Sequence, residues 1–158
     1  LSDFSYVFLS GYTLFGRSEA EIKNFIFRVQ DAGALLAIDP GSSGYIKDFG
    51  VEDFKNAVYS CDILLPNQEE FELLGSSLAQ ITVVKNGSAG VDVYAEGIKI
   101  ETYPVEKISA GDPTGAGDAF AGGLVATLAN EEPLARAIQV GIETAAKAVQ
   151  TIGARPQL

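Results

Sequence analysis

Ala110-Gly-Asp-Pro-Thr-Gly-Ala-Gly-Asp-Ala-Phe120 runs straight into an Ala/Gly/Leu-rich segment that reaches Ala129. Two carboxylates, Asp112 and Asp118, flank the small residues Gly115, Ala116 and Gly117. The apolar residues that follow suit a buried helix. Small residues let backbone N–H groups come close to a ligand. A helix N-terminus adds unpaired N–H groups and the positive end of a dipole. Together these make an anion site, and Asp118 falls at its lip. An anion hole beside a carboxylate can transfer a phosphoryl group to a hydroxyl.

Upstream of that stretch the chain alternates short apolar runs with helical patterns. Tyr6–Ser10 reads as a buried strand. Glu19–Asp31 has helical spacing at Ile22, Phe25, Ile26 and Val29, with Ser18 as N-cap and Gly33 as the stop. Residues 34–39 form a second strand, halted by Pro40-Gly41, and residues 51–60 a helix. Residues 62–65 form a third strand halted by Pro66, and residues 67–74 a helix closed by Gly75. A fourth strand covers residues 81–85. Strands alternating with helices imply a parallel sheet covered on both faces, whose strands read as continuous apolar runs. Residues 90–95 and Ile98–Tyr103 then flank Glu96-Gly97, the signature of an antiparallel hairpin. A helix to about Ala129 and a last helix from Pro133 to about Thr151 complete the chain, with Pro133 suited to a first turn. No linker, repeat or low-complexity tract interrupts it. The expectation is one domain, residues 1–158, of three-layer α/β/α, Rossmann-like type.

Composition narrows the chemistry. The 158 residues are 47% apolar, enough for one real core. Eleven Lys and Arg face 21 Asp and Glu, a net charge of -10. That balance argues against a nucleic-acid or anionic-membrane partner, so an anionic ligand must be held locally. The absence of histidine removes Ser-His-Asp and Cys-His catalysis and His-based metal sites. A single cysteine, Cys61, allows no internal disulfide, suits a reducing cytosol and reads as a buried inert thiol. No apolar run approaches the roughly 18 residues of a membrane span. The chain lacks Met and opens at Leu1, which suggests processing or a fragment.

Four segments could carry chemistry. Asp118 could be an ordinary helix-dipole carboxylate. Three small residues in one turn make more sense if backbone N–H groups meet a transferring phosphoryl group while Asp118 deprotonates the acceptor hydroxyl. No Gly-Lys-Ser/Thr follows, so this is not a Walker A loop, and Phe120 breaks a dinucleotide fingerprint. Asn67-Gln-Glu-Glu70 has capping-box spacing; the same helix end could hold a phosphate or a magnesium-bound water through Asn67 and Glu70. Val83-Val-Lys-Asn-Gly-Ser-Ala-Gly90 is most simply strand–turn–strand, yet Lys85 and the Gly87 backbone could meet nucleotide phosphate at the sheet's C-terminal edge. Asp39-Pro-Gly-Ser-Ser-Gly44 reads most simply as a turn at that edge.

These pieces in this order resemble the ribokinase-like (PfkB-type) carbohydrate kinases. The strongest match is Asp112-Pro-Thr-Gly-Ala-Gly-Asp-Ala-Phe120, close to that family's C-terminal signature. Asp39-Pro40, the Asn67-x-x-Glu70 motif, the Val84–Gly90 glycines and the Ala145–Ala154 tail follow the family's order. The resemblance implies Asp118 as catalytic base and Gly115, Ala116 and Gly117 as anion hole. It implies Asn67 and Glu70 ordering magnesium and phosphate, and Lys85, Gly87 and Gly90 lining the ATP phosphates and ribose. Asp112, the Thr114 carbonyl and the loop near Gly153 would bind a monovalent cation such as potassium.

Three positions depart from the family pattern: Asn86 for an apolar residue, Gly41 for Asn, and Ile142-Glu143 where an adenine-pocket Asn often falls. Family members run to roughly twice this length. Their first strands, β lid and most acceptor contacts precede the part matched here. The chain is therefore expected to be the ATP-side, C-terminal portion of a cytoplasmic kinase, inactive alone, with a homodimer possible through the lid. The expected reaction is ATP-dependent phosphorylation of a sugar or sugar-like hydroxyl. The alternatives are a nucleoside kinase or a non-catalytic nucleotide-binding domain of the same fold.

Overall fold

The computed structural model describes residues 4–106 and 114–150. Six strands form one sheet in the order β1 (Tyr6–Ser10), β2 (Leu35–Asp39), β3 (Cys61–Leu64), β4 (Ala79–Lys85), β5 (Val91–Ala95) and β6 (Ile98–Tyr103). The first four are mutually parallel, and β5 runs antiparallel to β4. Among the described residues six α-helices accompany them: α1 (Glu19–Asp31), α2 (Ser43–Phe49), α3 (Val51–Val58), α4 (Gln68–Leu74), α5 (Ala116–Ala129) and α6 (Leu134–Gln150). The chain groups into two compact units. The first is Leu1–Asn86 with Val91–Thr102, and the second is Gly87–Gly90 with Tyr103–Leu158.

The first unit is built by local signals that agree with its packing. Ser18 and Glu21 close a reciprocal capping box at the start of α1. At its end the Ala34 and Gly33 N–H groups return to the Val29 and Gln30 carbonyls, which stops the helix and turns the chain into β2. Ile22, Ile26 and Val29 recur at one face of α1 and are buried. They share one core with Ile46 of α2, Phe54, Ala57 and Val58 of α3, Leu74 of α4 and Leu36, Ile38, Cys61 and Leu64 of the strands. Tyr45, Phe49 and Phe54 meet edge to face within it. Cys61 is buried, and desolvation, helped by the Asp62 charge, pushes its thiol up to about 12. The inert-thiol reading therefore stands. Glu96 and Gly97, both with positive φ, make the two-residue turn between β5 and β6.

The structure corrects the reading of residues 39–44. The turn ends at Gly41, whose N–H is accepted by Asp39 Oδ1. From there Ser42 caps a helix, its Oγ accepting from the Tyr45 N–H at 3.1 Å. At seven residues α2 is too short for its apolar spacing to stand out from the Gly/Ser run that starts it. The next helix stops at Val58 rather than residue 60, because Ser60 takes a positive φ and its N–H goes to the Leu78 carbonyl. Strand β3 correspondingly starts one residue early, at Cys61.

In the second unit α5 and α6 lie against each other through glycine. A Cβ on Gly123 would stand 2.7 Å from Thr144 Oγ1, and one on Gly141 would stand 2.9 Å from the Phe120 ring. The Ala/Gly composition that looked like a buried helix is thus also what lets the two axes approach. Pro133 stands just before α6, with its carbonyl accepting from the Ala137 N–H. Among the described residues no helix is long and apolar enough to cross a membrane.

Candidate active site

Parallel strands deliver their C-terminal ends to one edge of a sheet, where ligands of α/β folds gather. In the first unit this edge carries Asp39 at the end of β2, Pro66-Asn67 after β3 and Lys85 at the end of β4. The Lys85 N–H donates to the Pro66 carbonyl at 2.8 Å, and Asn67 and Lys85 form one further parallel bridge. That bridge extends the ladder just far enough to bring the polar side chains together. The Lys85 ammonium pairs with the Asp39 carboxylate, and both side chains are largely buried. The ammonium carries three donors, so the pair leaves it capacity for another acceptor.

Asn67 caps α4 with its side-chain oxygen on the Glu70 N–H at 2.9 Å. Glu70 answers with Oε2 on the Asn67 N–H at 2.8 Å and Oε1 on the Asn67 amide at 2.9 Å. The capping-box reading is therefore realised, in a setting unusual for a cap: Glu70 is only 1% exposed. Burial pushes its carboxyl above the usual range and the nearby Asp39 charge adds to the rise, against the Asn67 backbone bond and Lys85. Each carboxylate oxygen still has a second acceptor position. These hard oxygen donors suit a magnesium ion held through its waters. Among the described residues no cluster of three or more acidic or cysteine ligands exists, so a metal here would keep most of its water.

In the second unit the expected anion hole starts at Gly115, the N-cap of α5. Its φ of 80° and ψ of -1° lie in the left-handed region that glycine enters without strain. Gly115 has no side chain with which to cap the first N–H groups of the helix. Ala116 and Gly117 form the first turn with Asp118, which is exposed. An uncapped N-terminus with small residues and an acceptor carboxylate beside it can hold an anion and take a proton. Thr114 is the first described residue of this segment, while Asp112 and Gly153, the other expected cation ligands, lie outside the described residues.

Gly87 starts a short 3-10 turn that reaches Ala89. Gly90 follows with φ 104°, and a Cβ there would lie 2.4 Å from the Tyr103 carbonyl oxygen. Glycine is required at 90 by contact as well as by conformation. Of the departing positions, Gly41 has φ 95°, Asn86 donates to Asp92, and Glu143 sits on exposed α6 surface opposite Arg136 at 3.4 Å. Sequence reasoning missed Asp39 as the partner of Lys85 and missed Asp92 altogether. The signal for Asp39 was its place at a strand end; the signal for Asp92 was an acidic residue inside an otherwise apolar strand.

The sequence profile of the pfkB family carbohydrate kinases matches residues 41–158. Over 134 residues the chain is 31% identical to an ATP-dependent ribose-1-phosphate kinase of Halopiger xanaduensis, covering 79% of this chain and 43% of that protein. Over 105 residues it is 30% identical to a nucleoside kinase of Methanothermobacter thermautotrophicus, covering 59% of this chain and 32% of that protein. The chain thus spans less than half the length of these curated relatives. An aminoimidazole riboside kinase from Salmonella enterica, solved with aminoimidazole riboside and an ATP analog, is similar at a TM-score of 0.80 and 24% identity. The likeness covers 96% of this chain and 58% of that one, and it shows the ribokinase-like α/β fold. With the profile matched over most of its length, including the Asn67–Glu70 cap and the Gly115–Asp118 helix start, the chain belongs to the pfkB family of carbohydrate kinases.

Proposed function

We propose that this chain is the ATP side of a longer kinase that phosphorylates a hydroxyl of a sugar or sugar-like substrate. The observation that carries the reading is the start of α5, with a left-handed Gly115, no side-chain cap and an exposed carboxylate in the first turn. In this reading the Asp118 carboxylate takes the proton of the acceptor hydroxyl as its oxygen attacks the γ-phosphorus. The bond to the β–γ bridging oxygen breaks and ADP leaves. The Gly115, Ala116 and Gly117 N–H groups hold the charge that builds on the phosphoryl oxygens. Lys85, Gly87 and Gly90 line the nucleotide phosphates and ribose.

Magnesium, when bound, neutralises charge on the β- and γ-phosphates. Asn67 and Glu70 would hold it through water, and the exposed Asn67 amide beside the buried Glu70 carboxylate suits that role. Asp112 and Thr114 would hold a monovalent cation such as potassium. In this reading both units belong to one domain of a cytoplasmic kinase. Pairing of two copies would run through a lid outside this chain.

A nucleoside kinase is the second reading, favoured by the nucleoside kinase of Methanothermobacter thermautotrophicus among its relatives. A non-catalytic nucleotide-binding domain is disfavoured, because such a domain has no need of an exposed carboxylate at Asp118. The test is ADP release by the full-length protein with MgATP against a panel of sugars and nucleosides, with and without potassium. Turnover with a sugar supports the first reading and turnover restricted to nucleosides the second. ATP binding with no acceptor-dependent release across the panel counts against both.

A further inference from the structure

Asp92 lies inside β5 and has no part in the chemistry above. Three side chains converge on its carboxylate. Asn86 Nδ2 donates to Oδ2 at 3.0 Å, and Thr102 Oγ1 and Lys99 Nζ meet Oδ1, each at 2.7 Å. Thr102 and Lys99 come from β6, so one carboxylate gathers both strands of the hairpin and the residue that ends the β4 side. Asn86 is the last residue before Gly87, where the 3-10 turn begins.

The Asn86 amide is held in one orientation with a stability penalty. Its Nδ2 is on Asp92, and its Oδ1 is buried with no hydrogen-bond partner among the described residues. A buried acceptor without a donor is destabilising, and an apolar side chain of similar size would avoid the loss. The orphaned oxygen offsets what the bond to the Asp92 carboxylate contributes, so stability is a weak ground for an amide at this position. What the pair does achieve is to fix where the chain leaves β4 and begins the turn. The far end of the turn is fixed by contact, since Gly90 sits against the Tyr103 carbonyl.

We propose that Asp92 is a positioning residue for nucleotide binding: by holding the Asn86 amide it sets the start of the Gly87–Gly90 turn. The inference rests on the reading of that turn as a nucleotide contact. The experiment measures MgATP affinity by calorimetry and unfolding midpoints on the full-length protein and its variants. Asn86→Asp sets two carboxylates against each other and is expected to weaken ATP binding at least about tenfold. Adding Asp92→Asn restores an amide–carboxylate pair with its ends exchanged, and affinity should return to within about threefold of wild type. Asn86→Leu removes the orphaned oxygen together with the bond to Asp92, two opposing effects; its unfolding midpoint should change little while it binds ATP more weakly.

A merely structural pair predicts the opposite for Asn86→Leu, a lower midpoint with unchanged affinity. That result, or an unchanged affinity in Asn86→Asp, overturns the inference while the nucleotide reading stands. Should Asn86→Asp fail to fold, Asn86→Leu decides alone. A wild-type protein that binds no ATP overturns the nucleotide reading and this inference with it.

Discussion

At the ends of β2, β3 and β4 the charged groups satisfy one another. Lys85 lies on Asp39, and Asn67 and Glu70 cap each other with the Glu70 carboxylate buried. At the start of α5 the N-cap is Gly115, which has no side chain to cap the helix, and Asp118 is exposed. The first region resembles a brace that orders the sheet edge. The second resembles a place kept for something that arrives. Residue types allow phosphate contacts in both regions, and burial is what tells them apart.

The comparison breaks first at Lys85. Removing one partner of a buried pair leaves the other charge uncompensated, so Lys85→Met should lower the unfolding free energy in urea by about 3 kcal/mol. The double variant with Asp39→Asn should recover part of that loss. A single-variant loss below about 1 kcal/mol would mean that the pair behaves as an exposed one. The open region should respond less in stability. Gly115→Val forces a branched side chain into the left-handed region at φ 80°, at a cost of about 1–2 kcal/mol by the same measurement. An unchanged unfolding midpoint would contradict the left-handed cap.

The third expectation concerns pH. Glu70 carries a folded-state pKa raised above its ordinary value of 4.5 by burial, so the folded form binds the proton more tightly than the unfolded form. Its contribution to stability is most favourable at low pH, declines as pH rises from about 4.5 to the raised value, and is flat above it. Glu70→Gln keeps an oxygen for the cap and should remove that decline from a plot of unfolding free energy against pH. A slope unchanged by the substitution would assign it to another group.

Much of the fold was legible because it is local. The strands show as apolar runs, and Ser18-x-x-Glu21 and Asn67-x-x-Glu70 announce their helices through groups three residues apart. What was hidden depends on the sheet. Lys85 and Asp39 are 46 residues apart in sequence and meet only because β2, β3 and β4 lie side by side. Asp92 collects its partners only once the hairpin pairs. Helix α2 was hidden for the opposite reason: its cap, Ser42, sits in a run of small residues that equally suits a turn. For Asp118 the sequence supplied the residue and its neighbours, and the structure added its exposure and the left-handed residue that starts the helix.

The central claim is that Asp118 is the proton acceptor in phosphoryl transfer. Acceptor-dependent ADP release by full-length Asp118→Asn, measured beside its MgATP affinity and unfolding midpoint, tests it most directly. With Asp118 as the base, turnover should fall by about 100-fold or more, with ATP affinity nearly intact and a midpoint shifted by less than the equivalent of about 0.5 kcal/mol. Turnover within a few-fold of wild type would contradict the account.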